Sequence, residues 1–202
     1  MTPLDCPGGR NGPAVIGKVK GTLLVARMEY LRAQGADSAE RVLRRLSEED
    51  RTLLAGALLP GTWYAAGVLQ RLENTIAALL SRGERHRLYR DMGRYSAEAN
   101  LGPAGALHTF LRTGDPQFLL RNVPLLYGTQ HDTGRRDYQQ TGQRSALLRT
   151  LEAEETSVDD CLTTVGWLER GVELSGGKAV RVEERACRAK GAPACEHHCE
   201  WS

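Results

Sequence analysis

The chain has 202 residues, of which 41% are hydrophobic and 26% are charged, and its mean hydropathy is −0.42. This balance is typical of a globular protein and excludes an intrinsically disordered chain, which would be poor in apolar residues and strongly charged. The sequence contains no run of about 18 uncharged apolar residues that could span a membrane. With a net charge of +2 and no DNA-reading motif, we expect neither a nucleic-acid nor a membrane partner.

The first 17 residues are rich in glycine and proline and contain no apolar run, which predicts a flexible leader rather than a signal peptide. A chain without an export signal is expected in the cytoplasm. There, clustered cysteines bind metal or act in redox chemistry more often than they form disulfides. Four of the five cysteines lie in the last 42 residues. The fifth, Cys6, is interpreted as an incidental thiol of the leader.

Apolar residues at helical spacing and capping residues predict that the first two thirds of the chain are helical. The clearest stripe runs through Tyr64, Val68, Leu72 and Ile76. Pro124 is expected to end the last helix of this part, because proline disfavours helical backbone at the residue before it. The predicted helices cover residues 19–34, 38–46, a segment capped by Ser47, 62–81, 84–99, 104–112 and 117–122.

The last third of the chain changes to an alternating pattern. Residues 136–152 alternate loosely around a Thr141-Gly142 turn, which predicts a β-hairpin. A helix capped by Thr156 or Ser157 and strands over 178–187 and 194–201 follow. This order predicts an α+β fold in which N-terminal helices pack on a C-terminal antiparallel sheet. We expect one domain over residues 18–202, helical over 18–133 and with the sheet and a metal site over 134–202.

A cysteine of the last predicted helix lies on its buried face, because Cys161 belongs to an apolar stripe spaced by three or four residues. The stripe consists of Val158, Cys161, Val165, Leu168 and Val172. In the next strand, Glu184 shares a face with two valines, so its carboxylate is expected to be buried. A buried carboxylate needs an arginine, a hydrogen-bond network or a metal ion as its partner.

Two further cysteines complete a possible metal site. Cys187 follows Glu184 by three residues, and Cys195 begins the last strand. With Cys161 they can form a tetrahedral site of three sulfurs and one oxygen, a donor set that suits Zn²⁺. Metal bound there would join both ends of the intervening loop and contribute directly to folding.

Other interpretations of these residues stay open at this point. His197 and His198 are competing ligands, and a site could be formed by Cys187, Cys195, His197 and Cys199. Alternatively, the cysteines are ordinary buried thiols and Glu184 pairs with Arg181 or Arg185. Spacing alone does not decide between these arrangements, because no CxxC pair is present.

The segment from Cys161 to Cys195, with Gly166-Trp167 and the run from Glu184 onward, resembles the end of the 4-vinyl reductase domain. That domain is the sensor module of aromatic-responsive transcription activators. The intervals of 23, 3 and 8 residues between Cys161, Glu184, Cys187 and Cys195 resemble its pattern of structural-zinc ligands. The resemblance implies Zn²⁺ at these four residues and, since proteins of this fold often dimerise through N-terminal helices, a homodimer.

A second resemblance covers about residues 18 to 150. Lys20–Leu24, Leu59–Tyr64 and Gly114–Leu120 resemble a myxobacterial family of unknown function that is distantly related to the same fold. The shared fold also resembles subunits of the vesicle-tethering TRAPP complex and, more remotely, haem-based nitric-oxide sensors. None of these likenesses implies an activity, because one fold can carry many functions.

Members of this fold that sense small molecules hold them between helices and sheet, so aromatic residues and one histidine are candidates for a ligand pocket. His108 could hydrogen-bond a phenolic ligand or ligate haem iron, or it could be a core-edge histidine bound to backbone. The tyrosine-serine-arginine signature of the haem sensors is absent at Tyr95–Ala99, so we do not expect haem. The candidates are Trp63, Tyr64, His108, Phe110, Phe118 and Trp167, each of which could instead be plain core packing.

The sequence contains no glycine-rich phosphate loop and no nucleophile elbow, so we predict no catalytic residue. The resemblance implies a zinc-stabilised sensor or adaptor that binds a hydrophobic or aromatic ligand and signals through contacts with a partner protein. One alternative is a ligand-free scaffold subunit. A second alternative, suggested by the name of the domain, is an accessory reductase in tetrapyrrole chemistry.

Overall fold

The computed structural model describes residues 17–153 and 157–202. The predicted leader up to residue 16, Cys6 and the proposed cap at Thr156 lie outside these residues. Within them, no helix is both long and apolar enough to cross a lipid bilayer.

The described chain is α+β, as predicted, with six helices before a four-stranded sheet and the seventh between the second and third strands of that sheet along the chain. The helices are α1 (Gly21–Ala33), α2 (Ala36–Arg45), α3 (Glu48–Ala55), α4 (Ala66–Leu80), α5 (Arg85–Leu101), α6 (Pro116–Gln130) and α7 (Val158–Leu174). The strands are β1 (Lys18–Lys20), β2 (Trp63–Ala65), β3 (Arg135–Gly142), β4 (Ser145–Leu151), β5 (Arg181–Ala186) and β6 (Cys195–Glu200). Short 3₁₀ turns occur at His108–Phe110 and Arg188–Lys190.

Two of the predicted helices begin with short strands. β1 and β2 pair antiparallel, with Val19 opposite Tyr64, immediately before α1 and α4. This pairing brings Gly21 against the loop that precedes β2, where a Cβ on Gly21 would lie 2.1 Å from the carbonyl oxygen of Leu59. Only glycine allows that approach, and helical periodicity alone does not reveal it.

The segment that we expected to be helical over 104–112 forms only one 3₁₀ turn. The chain folds back on the end of α5, where the backbone N–H of Leu107 donates to the carbonyl oxygen of Asn100 at 2.8 Å. Gly105 allows this reversal, because a Cβ at that position would lie 2.1 Å from the same oxygen. A backbone contact of this kind replaces the helical hydrogen bonds that the sequence pattern predicted.

The prediction that Pro124 ends a helix is wrong, since α6 continues through it to Gln130. Proline inside a helix removes one hydrogen bond and costs about 3 kcal/mol. Here apolar side chains on both sides of the proline are buried against the same core, which favours one continuous helix. They are Leu119, Leu120, Val123 and Leu126.

The main sheet has the antiparallel strand order β3-β4-β6-β5. Its central pair aligns Leu148 with His197, and the outer pair aligns Glu184 with the same histidine. Helix α7 begins with a capping box between Ser157 and Asp160 and buries its apolar stripe, including Cys161, Val165, Leu168 and Val172. The predicted orientation of Cys161 is therefore confirmed.

Helices α5 and α7 cross at very short distance. A Cβ at Gly93 would lie 2.0 Å from the carbonyl oxygen of Thr163, and a Cβ at Gly166 would lie 2.0 Å from that of Arg90. Ion pairs flank the crossing, with Arg90 bound to Glu169 and Arg94 bound to Glu173 at 2.7 Å. Arg90 and Arg94 of α5 therefore hold this helix to α7.

Candidate functional site

A cavity of about 210 Å³ lies between the helices and the sheet. We call it the central cavity. Its wall is formed by α1, α4, α5, α6 and α7 on the helical side and by β3, β4 and β6 on the sheet side. Apolar side chains cover much of the wall, among them Leu23, Leu69, Leu107, Val123, Leu126 and Trp167.

A buried ion pair forms one polar part of the wall. Arg27 of α1 contacts Glu73 of α4 through Nη2 at 2.6 Å and donates to it from Nε at 2.8 Å. Burial raises the pKa of the Glu73 carboxyl to about 7, and the Arg27 charge opposes this rise. The Nη1 atom of Arg27 is buried and has no hydrogen-bond partner among the described residues.

A second arginine projects from the sheet. Arg136 of β3 donates from Nε to the hydroxyl of Thr150 at 3.1 Å and from Nη2 to the hydroxyl of Thr164 at 3.0 Å. Its guanidinium carbon lies 4.8 Å from the centre of the Tyr127 ring. Burial lowers the pKa of Arg136. Across residues 17–153 and 157–202, no carboxylate forms an ion pair with it.

Two histidines in the wall carry no charge at neutral pH. Burial, aided by the Arg136 charge, lowers the pKa of His131 to about 3 and that of His197 to about 4. The His131 ring stacks on Tyr127 with centroids 4.3 Å apart. The Nε2 atom of His197 is buried and lacks a hydrogen-bond partner in the described part of the chain.

Three cysteines that we predicted to be neighbours do lie together. The sulfurs of Cys161, Cys187 and Cys195, here called the thiol cluster, are all within 4.8 Å of one another. The Cys161 and Cys187 sulfurs are 3.7 Å apart, and the backbone N–H of Arg188 donates to the Cys195 sulfur at 3.3 Å. A hydrogen bond from Cys161 lowers the pKa of Cys195 below its usual range. Cys161 and Cys195 also line the central cavity.

Glu184 lies beside the thiol cluster. One of its carboxylate oxygens accepts from Lys190 at 3.3 Å, and the other is buried without a hydrogen-bond partner among the described residues. Its ligand atom lies within 4.8 Å of those of Cys161 and His197. Neither Arg181 nor Arg185 forms an ion pair with it in the structure described, since both lie 3.9 Å from Glu183.

The alternative ligand set that includes Cys199 is not assembled. Cys199 packs in the apolar core with Leu148, Leu168 and Val182, away from the thiol cluster. His198 lies on the opposite face of β6, where Arg185 contacts its Nδ1 at 2.9 Å.

Of the six predicted pocket residues, the structure brings Trp167 to the central cavity. The others lie elsewhere. Trp63 is partly exposed under the Lys20 ammonium, and the Tyr64 hydroxyl accepts from the backbone N–H of Leu59. His108 is exposed and contacts the Leu101 carbonyl through Nδ1 at 3.1 Å, which agrees with the interpretation as a histidine bound to backbone. Phe110 packs beside the end of α5, and Phe118 lies under Arg112.

The sequence pattern does not reveal the two arginines of the central cavity. Arg27 lies among apolar residues of α1, and its burial depends on Glu73, which is 46 residues away. Arg135 and Arg136 are adjacent, so strand alternation shows that one of them faces inward but not which one. Tyr138, on the same face as Arg136, was the one available signal.

The fold is similar to that of solved H-NOX structures. An H-NOX protein from S. oneidensis in the Fe(II)NO ligation state has a TM-score of 0.67 and 16% identity, over 91% of this chain and 99% of that chain. An oxygen-binding H-NOX domain related to soluble guanylate cyclases has a TM-score of 0.66 and 11% identity, over 91% and 95%. A structure described as "Probing the function of heme distortion in the H-NOX family" has a TM-score of 0.64 and 13% identity, over 91% of this chain and 95% of that chain. At such identities the likeness shows the fold alone.

Two predictions are wrong in the light of these structures. The fold is that of H-NOX domains rather than specifically a 4-vinyl reductase-like domain. Structural zinc as the cofactor is also overturned, because the descriptions of these neighbours name heme and Fe(II). Both errors arose because the resemblance behind them rested on a short C-terminal segment, whereas the structural likeness spans nearly the whole chain.

A comparison with curated proteins finds no match. A family model with the description "Protein of unknown function (DUF2378)" matches residues 68–202, which is more than half of the chain. This segment runs from α4 to the end of β6 and contains both the thiol cluster and the sheet side of the central cavity. The chain belongs to the DUF2378 family of proteins of unknown function.

Proposed function

We propose that this chain is a small-molecule sensor domain whose ligand lies in the central cavity. The observation that carries the proposal is a cavity of about 210 Å³ with mostly apolar walls and a few polar groups. Such a lining is typical of ligand sites, and the volume, which is below the roughly 300–1,000 Å³ of ordinary pockets, restricts the ligand to a small one. A ligand there would touch helices and sheet at once, so its binding could change their relative packing and signal to a partner protein. A hydrophobic or aromatic ligand, a homodimer and a cytoplasmic location remain predictions.

Haem is the group that the structural neighbours suggest, and the donor chemistry of the cavity matches it in part. The neutral His197 has an unpartnered Nε2 that could ligate iron, and Arg136 could bind a propionate. The space does not match, because 210 Å³ is below the roughly 300–1,000 Å³ of ordinary ligand pockets and haem is a large, rigid ligand. The residues as placed therefore do not fit haem, and we derive no step through it.

We also propose that the predicted metal-site residues bind a metal ion, without specifying which metal. Cys161, Cys187 and Cys195 present three sulfurs within bridging distance, and Glu184 adds an unpartnered oxygen beside them. Such a donor set suits a thiophilic metal ion, which would fix α7 to the sheet. Elemental analysis of Cys187→Ser and Cys199→Ser tests this, because Cys199 is an equally buried thiol outside the cluster. Only Cys187→Ser should lose metal, and equal metal content would refute the site.

Native mass spectrometry of the purified protein, beside a denatured control and an absorbance spectrum, tests the sensor proposal. We expect a small organic mass on the native protein that is lost on denaturation, without a Soret band. A Soret band with a matching haem mass would instead make the chain a haem protein. A bare chain that also binds nothing from a fragment mixture would refute the sensor proposal and favour a scaffold subunit.

A variant that fills the cavity sharpens this test. Leu23→Trp adds bulk to the cavity wall, whereas Leu59→Trp adds it at an exposed position outside the wall. Overpacking at Leu23 is expected to cost about 1–3 kcal/mol of stability and to abolish ligand binding. Leu59→Trp should keep the stability and the ligand binding of the wild-type chain. Ligand binding by Leu23→Trp would show that the ligand lies outside the central cavity.

A further inference from the structure

We infer that the ligand of the central cavity is a small organic anion whose acidic group binds the guanidinium of Arg136. This inference rests on the proposed function and names its ligand class. It depends on how the charges of the cavity are paired, on which atoms of Arg136 remain free, and on the volume and lining of the space.

The other charged groups of the cavity already have partners. Glu73 is bound by Arg27 at 2.6 Å. The Asp160 carboxylate accepts from the backbone N–H of Ser157 at 2.8 Å and from its hydroxyl at 2.9 Å. Neither carboxylate forms an ion pair with Arg136 among the described residues.

Arg136 itself contacts only neutral groups among the described residues. Two threonine hydroxyls accept from its Nε and Nη2, and the Tyr127 ring lies beside it. Its Nη1 donates to no acceptor within that part of the chain. The Cys195 sulfur accepts from Arg188 and from Cys161, and it makes no hydrogen bond with Arg136.

Arg136 is partly buried and forms no ion pair among the described residues, so an anion in the cavity would meet a guanidinium whose Nη1 is free to donate. Arginine meets carboxylates through paired, charge-assisted hydrogen bonds. A ligand carboxylate at Arg136 would supply the missing charge. If the carboxylate displaced Arg136 from the Thr150 and Thr164 hydroxyls, these hydroxyls could rotate and donate hydrogen bonds to the same carboxylate.

The rest of the cavity suits a small hydrocarbon body. Leu23, Leu69, Leu126 and Trp167 offer apolar contacts, and the histidines add no charge. A cavity of about 150 Å³ holds a benzene molecule. The central cavity, with about 210 Å³, therefore admits a single ring, or a short chain, with one carboxylate attached.

Titration calorimetry with benzoate and benzamide tests this inference, since the two probes share a ring and differ in charge. We expect the wild-type chain to bind benzoate at least tenfold more tightly than benzamide, which corresponds to about 1.4 kcal/mol. Arg136→Met should reduce benzoate binding to the level of benzamide. The matched control is Arg135→Met, which removes the neighbouring exposed arginine and should change neither affinity.

The outcomes separate the inference from the proposed function. Equal binding of both probes, or unchanged benzoate binding by Arg136→Met, would overturn the anion while leaving a cavity that binds small molecules. Binding of neither probe would overturn the anion too, and native mass spectrometry would then decide the sensor proposal on its own. If Arg136→Met fails to fold, Arg136→Lys and the wild-type comparison carry the test. The absorbance spectrum distinguishes haem, itself a carboxylate, from a colourless acid.

Discussion

Replacement of Gly166 by alanine should destabilise the protein, because α5 and α7 cross in backbone contact at this residue. The added Cβ would lie 2.0 Å from the Arg90 carbonyl oxygen, whereas ordinary contact begins at 3.4 Å, so the helices must separate by about 1.4 Å. The oxygen belongs to the backbone and cannot rotate away, which places the cost near the upper end of the roughly 1–3 kcal/mol typical of overpacking. Alanine regains up to about 1 kcal/mol of helical preference. The net loss should be about 2 kcal/mol.

Urea unfolding measures this loss, and a second glycine provides the control. Gly128 lies in α6 with no atom within 4 Å of its would-be Cβ, so Gly128→Ala should stabilise the chain by about 0.5–1 kcal/mol. The two substitutions are chemically identical and should have opposite signs. A Gly166→Ala variant as stable as Gly128→Ala would refute the close crossing of the helices.

Three further predictions concern stability. Arg27→Met leaves Glu73 buried without its cation and should cost about 3–5 kcal/mol of stability at pH 8. The cost should be smaller at pH 5, because the Glu73 carboxyl has a folded pKa of about 7 and is protonated there. A loss of stability in urea unfolding that is the same at both pH values would contradict this. The Arg71 hydrogen bond lowers the pKa of Asp50, so the contribution of this ion pair to stability is present above the unfolded pKa near 4 and is lost as pH falls through the folded value. In urea unfolding, Asp50→Asn should therefore lose less stability relative to wild type at pH 2.5 than at pH 6. Ser157→Ala removes the cap of α7 and should lower the free energy of unfolding by about 1 kcal/mol, while an unchanged value would show that the cap is dispensable.

The thiol cluster shows what the sequence could predict. Two periodicities, 3.6 residues for a helix and 2 for a strand, place Cys161 and Glu184 on the inward faces of their elements. The structure confirms both orientations and brings Cys187 and Cys195 to them. Local pattern was sufficient here because each residue is oriented by the apolar neighbours of its own element.

The central cavity shows what the sequence could not predict. Arg27 and Glu73 neutralise each other across two helices, and neither helix alone signals the pairing. Pro124 is a comparable case, because long-range packing on both sides overrides a local preference for ending the helix. The sequence pattern predicts the identity of a bound group even less well. The spacing of the cysteines predicted zinc, whereas the structural likeness over nearly the whole chain is to H-NOX proteins.

Arg136 joins the cavity to the packing of α7. Its two hydrogen bonds connect β3 to β4 through Thr150 and to α7 through Thr164. An anion bound to the same guanidinium would compete with the Thr164 hydroxyl for the Nη2 atom of Arg136. The contacts of α7 would therefore differ between the ligand-bound and the ligand-free protein. That difference in contact free energy is what allows a ligand to shift a conformational equilibrium. Since α7 also carries Cys161 and crosses α5 in backbone contact, a displacement starting at Arg136 would reach both the thiol cluster and the outer face of the helices.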